Sequence, residues 1–174
     1  MKFKKFSFKK VGSTNNTAIR FIKKGIKKGI ILSETQTKGR GQRGNIWYSK
    51  KGNLFMTVFF EINKKLSLNR IINLNIMIVK NVIAKITNSL ISIKKPNDIL
   101  INKKKVSGIL QEIIFMNNKK YLVVGIGINI INSPAIIKYE TTFLNNYSKK
   151  KVNKSKLFYE IKKNYEKKIN YFKI

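Results

Sequence analysis

The chain has no Cys and no His, one Asp, two Pro and one Trp in 174 residues. Without Cys there is no disulfide framework and no thiolate nucleophile. Without His or Cys, neither a zinc site of the usual ligands nor a Ser-His-Asp or Cys-His relay can be assembled. Asp98 is the only Asp and the six Glu are scattered from Glu34 to Glu166, which leaves paired-carboxylate chemistry almost nothing to work with. No stretch approaches the ~20 consecutive apolar residues of a membrane-spanning helix, and the opening MKFKKFSFKK carries charge with no apolar run behind it. The expectation is a cytoplasmic protein with no membrane partner.

What the chain has in excess is positive charge: 38 Lys plus Arg against seven Asp plus Glu, a formal +31. Such a balance ordinarily points to nucleic acid or an anionic surface. Here only four of the cations are Arg, the 34 Lys run from Lys2 to Lys173, and no helix-turn-helix or RNA-recognition signature accompanies them. Lys, Asn and Ile are abundant together and share A/T-rich codons, so base composition is the expected source of much of the charge and no DNA partner is expected. With 43% hydrophobic and 11% aromatic residues, the chain can bury a real core, and 1–174 is read as one domain. The groups left for chemistry are Lys, Arg, backbone amides and neutral polar side chains, which are the tools for handling anions.

Ser13, Thr14 and Asn15 offer N-cap chemistry ahead of Ala18, Ile19, Phe21 and Ile22, with Gly25 or Gly29 to close that helix. Residues 30–36 read as a strand entering a Gly-rich loop. Leu54–Glu61 is a nearly continuous apolar run suited to a buried strand. Ile71, Ile72, Asn75, Ile78, Val79, Val82, Ile83 and Ile86 fall at helical spacing and predict a helix over 70–88. Strands follow at 90–94, 98–101, 106–115 and 121–130, with hairpin turns at Asn102–Lys104 and Asn117–Asn118. Leu157, Phe158, Ile161, Tyr165, Ile169 and Phe172 form one face of a last helix, about 155–172. Short turns make neighbouring strands antiparallel, so the fold class is α+β, a mixed, largely antiparallel sheet with helices packed on it.

Three segments stand out. Gly39-Arg40-Gly41-Gln42-Arg43-Gly44, followed by Trp47, combines three glycines with two guanidinium groups. It reads either as a backbone concavity for an anion, with Trp47 to stack on a heterocycle, or as a plain basic hairpin loop with Trp47 in the core. Lys94-Lys95-Pro96-Asn97-Asp98 must end or bulge a strand at the Pro, and reads either as a re-aimed site or as an ordinary turn. Gly108, Gly125 and Gly127 lie inside strands, where glycine marks close approach of a ligand or another backbone, or a bulge.

Taken in order, Ser13-Thr14-Asn15, Gln36-Thr37-Lys38 with the Gly-rich loop and Trp47, Lys94-x-Pro96-Asn97-Asp98, Gly108-Ile109-Leu110-x-Glu112 and Gly125-Ile126-Gly127-Ile128-Asn129 resemble the catalytic domain of biotin protein ligases over residues 13–130. The resemblance implies the biotin-lipoate ligase fold, related to the class II aminoacyl-tRNA synthetases. It also implies adenylation of biotin by ATP with Mg²⁺ held by phosphate oxygens and water rather than by protein ligands, then transfer to a Lys of the acidic biotin carboxyl carrier domain of acetyl-CoA carboxylase. By the same resemblance, Ser13, Thr14, Asn15, Gln36, Arg40, Gly41, Gln42, Gly108, Gly125 and Gly127 line the biotin site. Gln42, Trp47, Lys94, Asn97, Asp98 and Asn129 take ATP, and Lys94, Arg40 and Arg43 act in catalysis, Lys94 at the reacting carboxylate and α-phosphate. Gln42 stands where most members carry Arg, so one cation over the adenylate is missing, and Lys95 replaces the usual Trp. No N-terminal DNA-binding domain and no C-terminal SH3-like barrel are expected, and a homodimer is compatible with the pattern. The rival readings are a lipoate-type ligase and a basic nucleic-acid-binding derivative of the fold.

Overall fold

A computed structural model describes residues 2–172. The elements run β1 (Lys5–Val11), α1 (Thr14–Lys23), β2 (Lys28–Gln36), β3 (Leu54–Ile62), α2 (Leu68–Ala84), β4 (Ile91–Lys94), β5 (Asp98–Ile101), β6 (Lys104–Met116), β7 (Lys119–Ile128) and α3 (Lys154–Lys168), the last continued by a 3-10 turn at Ile169–Phe172. One seven-stranded sheet has the order β1-β2-β3-β7-β6-β5-β4. Only β1 and β2 pair in parallel, with α1 as their crossover; every other neighbour is antiparallel. The expected mixed α+β sheet is the one found.

Strand β1 is absent from the sequence reading. Its Phe6 and Phe8 alternate with Lys and Ser, and the lysines mask a period-two pattern that only the tertiary fold reveals: both rings pack on Phe21 of α1. Exposed Lys on this edge strand also discourages pairing with another chain. The two predicted hairpin turns are present, with Asn102, Lys103, Asn117 and Asn118 all at positive φ, as a two-residue turn matched to strand twist requires. Helix α2 starts at an N-cap, Ser67 Oγ accepting from Arg70 N, and ends at Ala84 rather than 88.

The sheet is covered on both faces, which is why β3 and β7 read as continuous apolar runs. Leu54, Met56, Val58 and Phe60 of β3 join Leu122, Val124 and Ile126 of β7 under α2 and α3. Phe59, Tyr121 and Val123 face the other way, under Ala18 and Ile22 of α1. The predicted stripe of α3 is buried throughout. Within it, Tyr165 donates its hydroxyl to Asn75 Oδ1 at 2.8 Å, while Asn75 Nδ2 donates to Ile71 O and Gln111 Oε1. Burial pushes the Tyr165 phenol far up, so it stays a neutral donor. Tyr165→Phe strands the Asn75 oxygen and is expected to cost ~1–3 kcal/mol, read as a lower urea midpoint with an unchanged m-value.

Candidate active site

On the α1 face, β7 changes character along its length: Tyr121 and Val123 are core, then Gly125 and Gly127 lie on the same side with no side chain. The N-terminal turn of α1 lies over that gap. Ser13 is the N-cap, its Oγ accepting from Asn16 N. Asn15 points down at the sheet, Oδ1 accepting from Thr57 Oγ1 at 2.7 Å and Nδ2 donating to Glu112 Oε2 at 2.7 Å and Leu110 O at 3.3 Å. Gln36, at the end of β2, accepts from both Thr14 N and Thr14 Oγ1 and donates to Ser49 Oγ.

The Gly-rich loop is a hydrogen-bonded hairpin. Trp47 N donates to Gly39 O and Gly41 N to Asn45 O, and Arg40 bridges Ile46. Its tip, Gln42–Gly44, is a 3-10 turn with Arg43 in the left-handed region at φ 52°. Arg40 fastens the loop to the rest of the site through a two-pronged ion pair with Glu112 (Nη2 to Oε1 2.7 Å, Nη1 to Oε2 3.3 Å) and a 2.6 Å bond to Asn16 Oδ1. That bidentate geometry is the one a guanidinium is built for.

The strand glycines have specific neighbours. A Cβ on Gly125 lies 2.3 Å from Asn15 Oδ1, on Gly127 2.3 Å from Trp47 Cε2, and on Gly108 2.7 Å from Trp47 Cζ3. Gly125 and Gly127, expected to line the biotin site, thus stand directly under Asn15 and Trp47. These glycines seat an amide and an indole.

A cavity of about 370 Å³ opens here. Its wall brings together Ser13, Asn15, Gln36, Arg40, Gly41, Gln42, Arg43, Trp47, Lys94, Asn97, Asp98, Gly108, Gly125 and Gly127. Two predicted site residues are not on it. Thr14 stands behind the wall, holding Gln36. Asn129 lies in a small adjoining recess with Trp47, Lys105 and Tyr139, its Nδ2 donating to Thr142 O and its buried Oδ1 without a protein partner. Asn97 is on the wall, but its Nδ2 is spent on Ile109 O, and Ile109 N donates back to Asn97 O. This residue pins the β4–β5 turn to β6.

Two participants escape the sequence reading. Lys105, 15% exposed, meets Asp98 Oδ1 at 2.9 Å, a close ion pair without hydrogen-bond alignment. Its ammonium also lies 5.6 Å from the Trp47 ring and 5.0 Å from the Tyr139 ring. Lys94, expected at the reaction centre, is exposed on the wall with Lys95. The signal for Lys105 was the turn at Asn102–Lys103, which folds it back toward the only Asp. Tyr139 sits in an aperiodic segment and gave none.

The arrangement offers neutral donors and acceptors from Ser13, Asn15 and Gln36, Arg40 fastened beside them through Asn16 and Glu112, and Lys105 against the Trp47 and Tyr139 rings. Among the described residues no group of three or more Asp or Glu could hold a metal ion, and no helix is long and apolar enough to cross a membrane. A larger cavity of about 1010 Å³, between the end of α2 and the start of α3 on the opposite sheet face, contains none of the motif residues.

The family model described as the biotin/lipoate A/B protein ligase family matches residues 7–129. The bifunctional ligase/repressor BirA of Bacillus subtilis is 31% identical over 130 residues, 71% of this chain and 39% of that protein. The chain thus spans about two fifths of that relative's length. Among solved structures, the Aquifex aeolicus biotin protein ligase in complex with biotin and ATP superposes with a TM-score of 0.82 at 29% identity, covering 98% of this chain and 72% of that one. The Leishmania major biotin protein ligase in complex with biotinyl-5-AMP gives 0.78 at 25%, covering 97% and 79%.

Proposed function

Since the chain belongs to the biotin/lipoate A/B protein ligase family, we propose that it is an ATP-dependent biotin ligase that forms biotinyl-5′-AMP and passes biotin to a Lys of a carrier domain, that of acetyl-CoA carboxylase. The observation that carries this reading is that a single cavity wall joins the neutral hydrogen-bonding groups of Ser13, Asn15 and Gln36 to Lys105, Trp47 and the loop cations. A ureido ring is a neutral donor–acceptor pair and suits a wall of neutral polar groups. A carboxylate meeting a phosphate suits the cations.

In the first step a biotin carboxylate oxygen attacks the α-phosphorus. The bond to the bridging oxygen of the β-phosphate breaks, and pyrophosphate leaves with its Mg²⁺, which enters as the ATP complex. Two anions must be brought together, so positioning and charge neutralisation supply the catalysis, and no His or Cys is needed. Lys105 is the most enclosed cation on the wall and takes the reacting centre; Arg40, held by Glu112, keeps the loop over it; Trp47 takes the purine. In the second step the carrier amine attacks the acyl carbon, AMP leaves, and the amine proton passes to water. The +31 surface favours encounter with an acidic carrier.

Incubation with biotin, MgATP and the carrier domain should add one biotinyl group to one carrier Lys by mass spectrometry; an unmodified carrier overturns the transfer step. Gln42 leaves the loop tip one cation short. Gln42→Arg is expected to slow escape of free biotinyl-AMP by roughly three- to tenfold, the value of one partly exposed charge contact. Unchanged release means that Arg43 or the loop backbone already holds the adenylate.

A further inference from the structure

The charges on the cavity wall do not balance. Of its five cations, Arg40 is ion-paired with Glu112 and Lys105 with Asp98. Arg43, Lys94 and Lys95 take part in no ion pair among the described residues. They line the same cavity from two places, Arg43 at the tip of the Gly-rich hairpin, Lys94 at the end of β4 and Lys95 at the start of the β4–β5 turn. Neither is a floppy appendage: Asn97 ties the second turn to Ile109 in both directions, and Gly41 and Asn45 close the first.

Three uncompensated cations exceed what the acyl adenylate asks for. Biotin brings one carboxylate and loses that charge on activation, and the adenylate keeps one phosphate charge. The surplus matches the part of ATP that is present before the reaction and gone after it. Lys95 follows the last residue of β4, where Lys94 pairs with Asp98, and begins the three-residue turn. It is exposed, yet on the wall, a position suited to a group that must be released to solvent.

Resting on the ligase reading, we propose that Lys95 binds the β- and γ-phosphates of ATP and the departing pyrophosphate, with Arg43 as its partner across the cavity. Lys95 is then a substrate-binding residue for polyphosphate and has no contact with biotin or with the adenylate.

The test compares wild type, Lys95→Gln and Lys95→Arg in calorimetric titrations with inorganic tripolyphosphate and with biotinyl-AMP, alongside KM values for ATP and biotin. Lys95→Gln should weaken tripolyphosphate binding and raise the KM for ATP by about five- to tenfold, the size of one lost charge-assisted contact. Affinity for biotinyl-AMP and the KM for biotin should stay within about twofold, and Lys95→Arg should retain most of the tripolyphosphate affinity. Equal weakening of biotinyl-AMP and tripolyphosphate, or unchanged tripolyphosphate binding, overturns the assignment. Wild-type protein that binds tripolyphosphate through Lys95 but makes no adenylate would leave this subsite standing and remove the ligase reading instead.

Discussion

Lys105→Met is expected to lower the rate of biotinyl-AMP formation by about 10²–10³-fold, the range for loss of one preorganised charge at a developing anion. The physical ground is position. Lys94 and Lys95 are in water, where their field is screened. Lys105 is 15% exposed, fixed by Asp98 at 2.9 Å and bounded by two aromatic rings, so its charge acts through a medium of lower dielectric. Methionine keeps the stem that packs beside Trp47 and removes the ammonium. The affinity for biotin should change less than about threefold, because the loss is of an interaction with the reacting charge. Lys94→Met measured in parallel should cost about tenfold or less. A larger loss from Lys94 than from Lys105 would return the reaction centre to the residue the sequence pattern favoured.

The second large effect is at Gly125. An alanine methyl there meets Asn15 Oδ1 at 2.3 Å, closer than any real Cβ contact, and Asn15 is held by Thr57, Leu110 and Glu112. The side chain must leave, and with it goes the carboxylate alignment that receives Arg40. Gly125→Ala is expected to weaken biotin binding by about 10- to 100-fold, equal to ~1.4–2.8 kcal/mol, and to lower stability by ~1–3 kcal/mol through overpacking. Gly12→Ala is the control, since a Cβ there meets nothing within 4 Å. Calorimetry with biotin on both variants, each shown folded by circular dichroism, decides the point. Equal affinities would mean that Asn15 has no part in holding biotin.

Helices α2 and α3 were legible because their apolar residues recur at helical spacing and nothing in the tertiary fold opposes that pattern. The hairpin turns were legible because Asn at paired positions tolerates the positive φ found at Asn102 and Asn117. Strand β1 was hidden because its two inward phenylalanines sit among lysines on an edge. At the site, the Gly-rich loop, Gln36, Asn15 and the Pro96 turn converge on one wall as the pattern implied. What spacing does not carry is which partner fills the gap above a strand glycine, or which of 34 lysines is enclosed. Asn15 and Trp47 are found above Gly125 and Gly127 because α1 and the Gly-rich hairpin fold onto that sheet face, and Lys105 lies beside Asp98 through the β5–β6 hairpin. The same folding makes Asn97, expected at ATP, a brace for its own turn as well.

Most of the positive charge lies outside the cavity and belongs to the surface field. Of the five wall cations, Arg40 and Lys105 are ion-paired in the protein, and Lys95 with Arg43 is proposed for the triphosphate. The central chemical question is whether this chain, with no His and no Cys, activates a carboxylate with ATP. The direct measurement is thin-layer separation of products from ATP labelled at the α-phosphate, with Mg²⁺ and the purified chain, in parallel reactions with biotin, with lipoate and with neither acid. Labelled adenylate that appears with biotin and stays at background with lipoate is the predicted result; background label in all three reactions, or adenylate with lipoate alone, would contradict it.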